Sequence, residues 1–399
     1  MTKEYSPFTP GIPVPFEFFM GRLAELQTLT QKGKAALIGR RIERVFVSGP
    51  RGIGKSSFCR VARQMLAKEG MLGIHVFLGG ANTLEEMVRR TFDALLAETR
   101  ERSWFDKIKA LFGRHIEEAD VLGLTIRFRA SEPELNQLAS DFAPALRKIL
   151  QEAGNETKGL FLILDDLNGL APEAVFANWL KSFVDSIAPS DHPLPILLAL
   201  VGLPERRLQF IQNQPSLDRV FDLVDILPLN EAETRQFYER AFAAVGAKIQ
   251  PQAYSILYQF SGGFPVLMHE IGDATFKLDE DQKISSDDAI KGVAQAAEIV
   301  GRKYLDARVF DAIRSQRYRS ILRQLAQQSD PTGFKRQDVV QNLRGDEVKV
   351  LDNFLHRMRE LGVLISASEK GAGWYRFSND LHRLYFSIEA QKTEPANGT

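Results

Sequence analysis

Residues 44–57 read RVFVSGPRGIGKSS, and this stretch decides the fold of the part of the chain around it. Residues 45–47 are a run of β-branched and aromatic side chains, which predicts a short strand buried in a parallel sheet. After Lys55, apolar residues recur at helical spacing from Phe58 onward, which predicts a helix with one apolar face. A glycine-rich turn therefore joins a strand to a helix, and it fits the pattern G-x-x-x-x-G-K-[ST] of a phosphate-binding loop.

The chemistry of this loop follows from its residue types. Its glycines permit backbone angles that a Cβ would forbid, so successive N–H groups can point at a phosphate chain. The N-terminus of the following helix adds unpaired N–H groups and the positive end of its dipole. We expect Lys55 to reach the β- and γ-phosphates of a nucleoside triphosphate and the Ser56 hydroxyl to ligate Mg²⁺. The residues of the loop predicted to bind the nucleotide are Gly49, Pro50, Arg51, Gly52, Ile53, Gly54, Lys55, Ser56 and Ser57.

The composition excludes several classes of protein. The chain has 399 residues, which predicts two or three domains, and its 51 Lys and Arg balance 51 Asp and Glu, so net charge provides no attraction to nucleic acid. Cys59 is the only cysteine, which excludes an internal disulfide and favours a reducing cytosol. No apolar run approaches the roughly 20 residues needed to cross a bilayer, and the N-terminal residues lack the apolar core of a signal peptide. We therefore predict a cytoplasmic protein without a membrane span.

A second motif completes the predicted nucleotide site. Residues 159–168 read GLFLILDDLN, an apolar run that ends in two carboxylates. This pattern predicts a buried strand that delivers Asp165 from its carboxyl end toward Mg²⁺, directly or through water. Asp166, one residue later, is placed to orient or deprotonate the attacking water. Because the pattern follows the phosphate-binding loop by about 110 residues, it is typical of the Walker B strand of P-loop ATPases.

A box that precedes the loop points to a family. Residues 18–26 read FFMGRLAEL, and this aromatic-x-Gly-Arg-x-x-Glu-Leu box resembles the start of AAA-type P-loop ATPases. Within them it is most similar to the origin-recognition-like and archaeal-ATPase-like groups, which overlap with the signalling ATPases called STAND. The resemblance implies ATP and Mg²⁺ as cofactors and implies that Arg22 lies near the adenine. AAA enzymes usually carry Glu where this chain has Asp166, so we expect ATP hydrolysis but leave its rate open.

Two further site residues follow from the same resemblance. In the family an arginine near residue 219 can reach the γ-phosphate of the same or a neighbouring subunit, and Arg219 is the candidate here. The alternative is an ion pair of Arg219 with Asp218 or Asp222, and both interpretations remain open. Residues 261–265 read SGGFP at the start of a predicted lid helix, where the resemblance implies that Pro265 closes over the nucleotide. The lid arginine of the AAA family is missing, which favours the signalling branch over a processive motor.

The pattern of elements predicts the fold class and its division into domains. Strands alternate with helices up to residue 229, which predicts an α/β domain whose parallel sheet is flanked by helices. A small helical lid and a winged helix are expected to follow. The predicted domains are a P-loop nucleotide-binding domain at 1–229 with an insertion at 100–131, a lid with a connecting helix at 230–303, a winged helix at 304–391 and a tail at 392–399.

The predicted insertion combines a helix and a strand. Trp104, Ile108 and Phe112 form an apolar stripe at helical spacing, and residues 122–128 alternate between apolar and other side chains as a strand does. Basic residues beside the stripe leave a partner surface open as an alternative to packing on the chain's own domain. The helical stretch that follows is predicted to kink at Pro144.

The C-terminal part resembles the winged helices of archaeal ATPases. Three helical segments precede two strands, 363–365 and 374–377, which are joined by a glycine-containing polar tip that suits a wing. Residues 311–391 contain 13 basic and 10 acidic residues, whereas a DNA reader should show a clearer basic stripe. Double-stranded DNA and a protein partner therefore remain alternative ligands. The best basic candidates for DNA are Arg314, Arg317, Arg319, Arg323, Lys335 and Arg336.

Three functional hypotheses follow. The first is an ATP-driven switch that couples nucleotide state to a winged-helix effector domain. The second is a DNA-binding ATPase that loads or recruits partners as an ATP-bridged homo-oligomer through Arg219. The third is a nucleotide-gated protein-interaction module with negligible turnover.

Overall fold

The computed structural model describes residues 5–12, 18–118, 126–187, 194–328, 330 and 332–393. The chain divides into two compact units. The P-loop unit is Gly21–Leu227, and the C-terminal unit is Pro228–Thr399 together with Met1–Met20. Among the described residues, no helix combines the length and the apolar character needed to cross a membrane. The four predicted domains stay a prediction.

The P-loop unit is an α/β structure, as predicted. Its strands are β1 (Ile42–Ser48), β2 (Met71–Phe77), β3 (Ile116–Glu118), β4 (Ile126–Phe128), β5 (Gly159–Asp165), β6 (Ile196–Gly202) and β7 (Asp222–Asp225). Its α-helices are α1 (Leu23–Gly39), α2 (Lys55–Lys68), α3 (Leu84–Thr99), α4 (Phe105–Leu111), α5 (Glu132–Ser140), α6 (Phe142–Ala153), α7 (Ala174–Ile187) and α8 (Pro204–Asn213). Five strands form one parallel sheet in the order β2-β5-β6-β1-β7. This confirms the predicted parallel sheet flanked by helices.

The register of the sheet brings the predicted site residues to one edge. Every residue of β5 and β6 is buried, because these central strands are covered on both faces. Ser48 at the end of β1 pairs with Gly202 at the end of β6, and Asp165 at the end of β5 pairs with Val201. The carboxyl ends of the three strands therefore coincide, and this is the edge at which parallel α/β sheets bind ligands.

The predicted insertion packs on the P-loop unit itself. Trp104, Ile108 and Phe112 are all buried in the main core of the unit, which confirms the apolar stripe of a helix. β3 and β4 pair in antiparallel fashion. Residues 119–125 lie outside the described residues, so the strand predicted over 122–128 is seen only in its last part, as β4.

The kink predicted at Pro144 is wrong. α5 ends at Ser140 and α6 begins at Phe142, so the helical stretch is interrupted at Asp141. Pro144 lies in the first turn of α6, where backbone N–H groups have no intrahelical acceptor, and a proline fits there without bending the helix.

The C-terminal unit begins with helices and ends with a small sheet. Its strands are β8 (Lys248–Ile249), β9 (Lys283–Ile284), β10 (Phe334–Lys335), β11 (Leu364–Ser366) and β12 (Trp374–Phe377). Its α-helices are α9 (Glu231–Ala243), α10 (Pro251–Ser261), α11 (Pro265–Leu278), α12 (Ser286–Val300), α13 (Gln316–Gln328), α14 (Arg336–Val340), α15 (Gly345–Val348), α16 (Leu351–Glu360) and α17 (Asp380–Thr393), and Gly301–Phe310 is a π-helix. Asn230 caps α9 through a capping box with Glu233.

The last part of this unit combines helices with a small antiparallel sheet, and its assignment as a winged helix stays a prediction. α13, β10, α14, α15, α16, β11 and β12 follow one another along the chain. β12 lies between β10 and β11 and pairs with both in antiparallel fashion, with Leu364 opposite Phe377. This confirms the two strands predicted around a wing and adds the short strand β10.

Residues 5–12, called here the N-terminal arm, pack in the C-terminal unit. The predicted domain 1–229 grouped them with the P-loop. Phe8 is 3% exposed, and its ring meets Phe242 edge-on with 5.1 Å between the ring centroids. The backbone N–H of Thr9 donates to Nδ1 of His269 at 3.0 Å. These contacts join residues more than 200 positions apart, so no local pattern in the sequence could indicate them.

Candidate nucleotide-binding site

The glycine-rich loop between β1 and α2 has the backbone that a phosphate-binding loop needs. Gly54 caps α2 in a left-handed conformation with φ 89°, and no side chain among the described residues caps this end of the helix. A Cβ on Gly49 would lie 2.8 Å from the carbonyl oxygen of Ile226, so only glycine fits there. Ile53 is fully buried, whereas Arg51 is exposed. The loop is thus anchored by one apolar side chain and presents uncapped backbone at the start of α2.

Lys55 is held against the loop from which it comes. Its Nζ donates to the carbonyl oxygens of Gly49 at 2.7 Å and of Pro50 at 3.0 Å. Burial lowers the pKa of Lys55, and the charges of Asp165 and Asp166 act in the opposite direction. Two carboxylates from the end of β5 therefore act electrostatically on the loop lysine, and these groups belong to one site.

Asp165 ends β5 and is 3% exposed. Its Oδ2 lies 2.9 Å from Nε2 of His75, on the neighbouring strand β2. Its backbone carbonyl accepts a hydrogen bond from Leu78 N–H at 2.7 Å, which extends the pairing of β5 with the chain that follows β2. The carboxylate predicted to reach Mg²⁺ is therefore buried and oriented from one side.

Asp166 adopts an uncommon backbone conformation. Its φ is 62°, in the left-handed region, and the residue is exposed. Asn168 donates to its Oδ1 through Nδ2. Aspartate tolerates this region better than most residues, and non-glycine residues held there cluster at functional sites. The Asp166 side chain is thus at an exposed turn directly after β5, and its Oδ2 would lie 2.8 Å from a Cβ built on Gly79.

Arg22 contacts the loop. Its backbone is left-handed with φ 61°, its side chain is buried, and its Nη2 donates to the carbonyl oxygen of Ile53 at 2.5 Å. The residue just ahead of α1 is therefore tied to the centre of the phosphate-binding loop. Its predicted place beside the adenine stays a prediction.

Arg219 is exposed at the end of a short 3-10 helix. Asp218 pairs instead with Arg207 at 2.5 Å, and Asp222 pairs with Lys32. Within the part of the chain that the structure describes, Arg219 forms no ion pair, so the alternative that it binds Asp218 or Asp222 is wrong there.

Pro265 is the first residue of α11 in the C-terminal unit. The preceding turn is left-handed at Gly262 and Gly263, and the carbonyl of Gly263 accepts a hydrogen bond from Leu229 N–H at 2.9 Å. This agrees with the turn predicted before a helix that starts with proline. The role of Pro265 toward the nucleotide stays a prediction.

The basic residues predicted to face DNA divide into two groups. Arg336 forms a two-pronged ion pair with Asp352 at 2.6 and 2.8 Å, and Arg319 donates to the backbone carbonyls of Phe310 and Ile313. The side chains that form no ion pair within the described ranges are those of Arg314, Arg317, Arg323 and Lys335. The predicted basic set is thus smaller than the sequence suggests.

Sequence reasoning missed His75 and Asn168. His75 contacts Asp165, the predicted metal ligand, and Asn168 contacts Asp166, the predicted catalytic carboxylate. The sequence carries no local signal for His75, because its contact depends on the register of β2 against β5. His75 lies two residues before Phe77, the pairing partner of Asp165, so the three side chains share one face of the sheet.

Comparison with known proteins agrees with this geometry. Residues 19–211 match the family model of the AAA ATPase domain. Among solved structures, the chain is similar to a Walker-type ATPase of Pyrococcus abyssi, with 15% identity, a TM-score of 0.60, and coverage of 95% of this chain and 99% of that chain. It is also similar to the ORC2 protein of Aeropyrum pernix, with 14% identity, a TM-score of 0.58, and coverage of 98% and 96%. No curated protein matches. The segment from residue 19 to residue 211 is an AAA ATPase domain, and the fold of the whole chain is that of these archaeal proteins.

Proposed function

We propose that this chain, an AAA-type P-loop ATPase, is a molecular switch that binds and hydrolyses ATP and couples its nucleotide state to the C-terminal winged helix. The observation that carries the proposal is the convergence of Lys55 with Asp165 and Asp166 at one edge of the sheet. A lysine from a phosphate-binding loop and two carboxylates at the carboxyl end of β5, which β6 separates from β1, are the parts that phosphoryl transfer to water requires.

The residues at this edge fit a nucleotide with Mg²⁺. The uncapped start of α2 offers N–H groups to phosphate, and Ser56 and Asp165 supply the two oxygen ligands that would hold the metal. Among the described residues no group of three or more His, Cys, Asp or Glu could hold a metal ion by itself. This suits Mg²⁺, which prefers one or two protein ligands together with phosphate and water. When bound, Mg²⁺ neutralises charge that develops on the phosphate oxygens.

Asp166 is the residue that we assign to the attacking water. Its exposed carboxylate accepts from Asn168 at Oδ1, which leaves Oδ2 to orient the water or take its proton. Aspartate is one methylene shorter than the glutamate usual in AAA enzymes. We therefore expect slower turnover than a motor requires, which is compatible with a switch that resets after each hydrolysis.

The nucleotide base is inferred to be adenine. The ORC2 protein of Aeropyrum pernix, which shares the fold over nearly the whole chain, was solved in ADPNP–ADP complexes. In this proposal Arg22 steadies the phosphate-binding loop beside the adenine, and Pro265 begins the lid helix that closes over the nucleotide.

A second candidate is an ATP-bridged oligomer that binds double-stranded DNA. Arg219 favours it. Its neighbours Asp218 and Asp222 form ion pairs with Arg207 and Lys32, and within the described residues the exposed guanidinium of Arg219 forms no ion pair. In this candidate it reaches the γ-phosphate in another subunit. The basic side chains of Arg314, Arg317 and Arg323 would then contact phosphates of DNA. A third candidate, a protein-interaction module with negligible turnover, keeps the same nucleotide site.

One experiment tests the proposal and separates these candidates. ATP turnover is measured for the purified full chain, alone and with double-stranded DNA, beside Lys55→Ala and the control Lys68→Ala, which changes an exposed lysine of the same helix. Turnover that is independent of DNA and is lost only in Lys55→Ala supports the switch. Turnover that rises with DNA supports the oligomeric DNA-binding ATPase. ATP binding without turnover supports the third candidate, and turnover that persists in Lys55→Ala contradicts all three.

A further inference from the structure

The side chain of His75 contacts Asp165, the carboxylate that we expect to bind Mg²⁺. β2 pairs with β5 in parallel register, with His75 opposite Ile163 and Phe77 opposite Asp165. Side chains two residues apart on a strand share a face, and so do paired residues on neighbouring strands. His75, Phe77 and Asp165 therefore lie on the same face, with His75 diagonal to the carboxylate.

The contact between His75 and Asp165 is formed by two side chains that are largely shielded from solvent. Nε2 of His75 lies 2.9 Å from Oδ2 of Asp165, and the two side chains are only 7% and 4% exposed. An ionised carboxylate can only accept hydrogen bonds. Nε2 therefore carries the hydrogen atom and donates the hydrogen bond to Oδ2. A buried carboxylate without such a donor would lose the free energy of its hydration without compensation. The hydrogen bond from His75 supplies that compensation.

The imidazole is itself held in place. The ring of His75 stacks on that of Phe77, with 4.3 Å between the centroids and 22° between the planes. Phe77 is 54% exposed, so its ring contributes little to the core and serves mainly as a platform for His75. Within the described ranges no other residue forms a hydrogen bond with the Asp165 carboxylate, so His75 alone sets its orientation there.

We infer that His75 is a positioning residue for Mg²⁺: its bond to Oδ2 turns the Asp165 carboxylate so that Oδ1 is the oxygen presented to the metal. The inference rests on the proposed function, since it requires that Asp165 bind Mg²⁺. Groups that orient a metal-binding side chain from behind typically change metal affinity by about 10- to 100-fold when they are removed. Neither of the two nucleotide-binding motifs in this sequence includes His75, because its role depends on the register of two strands.

The test uses Mn²⁺ as a spectroscopic probe in place of Mg²⁺. Binding of Mn²⁺ to the full chain saturated with ADP is followed by electron paramagnetic resonance, and binding of ADP without metal is measured separately in EDTA. His75→Leu removes the donor, and His75→Gln restores an N–H donor at similar reach. His356→Leu is the matched control, because this histidine is 73% exposed in the C-terminal unit.

The expected result is about 10- to 100-fold weaker Mn²⁺ binding in His75→Leu, substantial recovery in His75→Gln, and metal-free ADP affinity unchanged in both. Wild-type Mn²⁺ affinity in His75→Leu would overturn the inference, and so would an equal loss of metal-free ADP binding, which would indicate a merely structural role. If His75→Leu fails to fold, Phe77→Ala decides. It removes the platform at an exposed position, and weakened Mn²⁺ binding with unchanged ADP affinity supports the inference, whereas wild-type Mn²⁺ binding overturns it.

Failure of the proposed function gives a different result. A wild-type chain that binds no ADP in either condition contradicts the nucleotide site itself, and the inference about His75 falls with it. A wild-type chain that binds ADP and Mn²⁺ while His75→Leu behaves identically leaves the proposed function standing and removes only the role of His75.

Discussion

The P-loop unit and the C-terminal unit use their predicted charges in different ways. In the P-loop unit, Lys55 is under the electrostatic influence of Asp165 and Asp166 at one edge of the sheet, as the two motifs predict. In the C-terminal unit, Arg336 is paired with Asp352 and Arg319 binds backbone carbonyls, so both serve the fold. The charges that the two motifs specify act on one another at a single edge of the sheet. A charge identified by counting alone can already be committed to a neighbour.

The largest effect is expected for Asp166→Asn, which tests whether this carboxylate of the P-loop unit acts on ATP. If Asp166 orients or deprotonates water, ATP turnover should fall by about 10²- to 10⁴-fold while ATP affinity is retained. Phosphate release and equilibrium ATP binding are measured on the same preparations. Asp185→Asn, at an exposed position on α7, serves as the control. Turnover in Asp166→Asn equal to that of the control would remove this residue from the site.

The N-terminal arm offers a test of the C-terminal unit. Phe8→Ala should destabilise this unit by about 3–5 kcal/mol, because it empties a buried site among the aromatic residues of α9. Denaturant unfolding of the full chain, with hydrogen exchange in α9 and α11, measures the loss. Tyr5→Ala is the control within the same arm, since Tyr5 is 75% exposed. Equal effects of the two substitutions would show that the arm does not belong to the folded unit.

A pH dependence is expected from the same packing. Burial lowers the pKa of His269 to about 4, against a smaller opposing effect of Asp273. The folded-state pKa of His269 lies below the ordinary value of about 6.5. The neutral imidazole therefore contributes its full stabilisation above pH 6.5, and this contribution is lost as the pH falls toward 4. The loss should reach about 3 kcal/mol, and His269→Gln should flatten it. Unfolding free energies measured between pH 7 and pH 4 that are parallel in wild type and variant would contradict this assignment.

The smallest effect is expected at Arg336, the paired arginine of the C-terminal unit. Arg336→Ala should change the free energy of unfolding by less than about 1 kcal/mol, because its ion pair with Asp352 lies at the surface. Thermal unfolding at low and high salt measures this. A larger, salt-independent loss would mean that the pair is a core contact of the C-terminal unit and would sharpen the contrast between the two units.

Local patterns predicted what local backbone determines. The loop with Gly49 and Gly54 and the strand that ends at Asp165 are each encoded within about ten residues, and the structure contains both. Contacts between distant segments were not predictable in this way. The burial of Phe8 under α9 and the bond of His75 to Asp165 depend on tertiary packing and strand register, which a single sequence does not display.

The central claim is that one Mg²⁺–ATP site is built from the loop after β1 and the carboxylate at the end of β5. The most direct test is equilibrium binding of ATP to the full chain, with Mg²⁺ and with EDTA, for wild type, Lys55→Ala, Asp165→Asn and the control Lys68→Ala. The account predicts that Lys55→Ala loses binding in both conditions and that Asp165→Asn loses only the part that depends on Mg²⁺, while Lys68→Ala binds as wild type does. ATP affinity that is the same in all four proteins would contradict it.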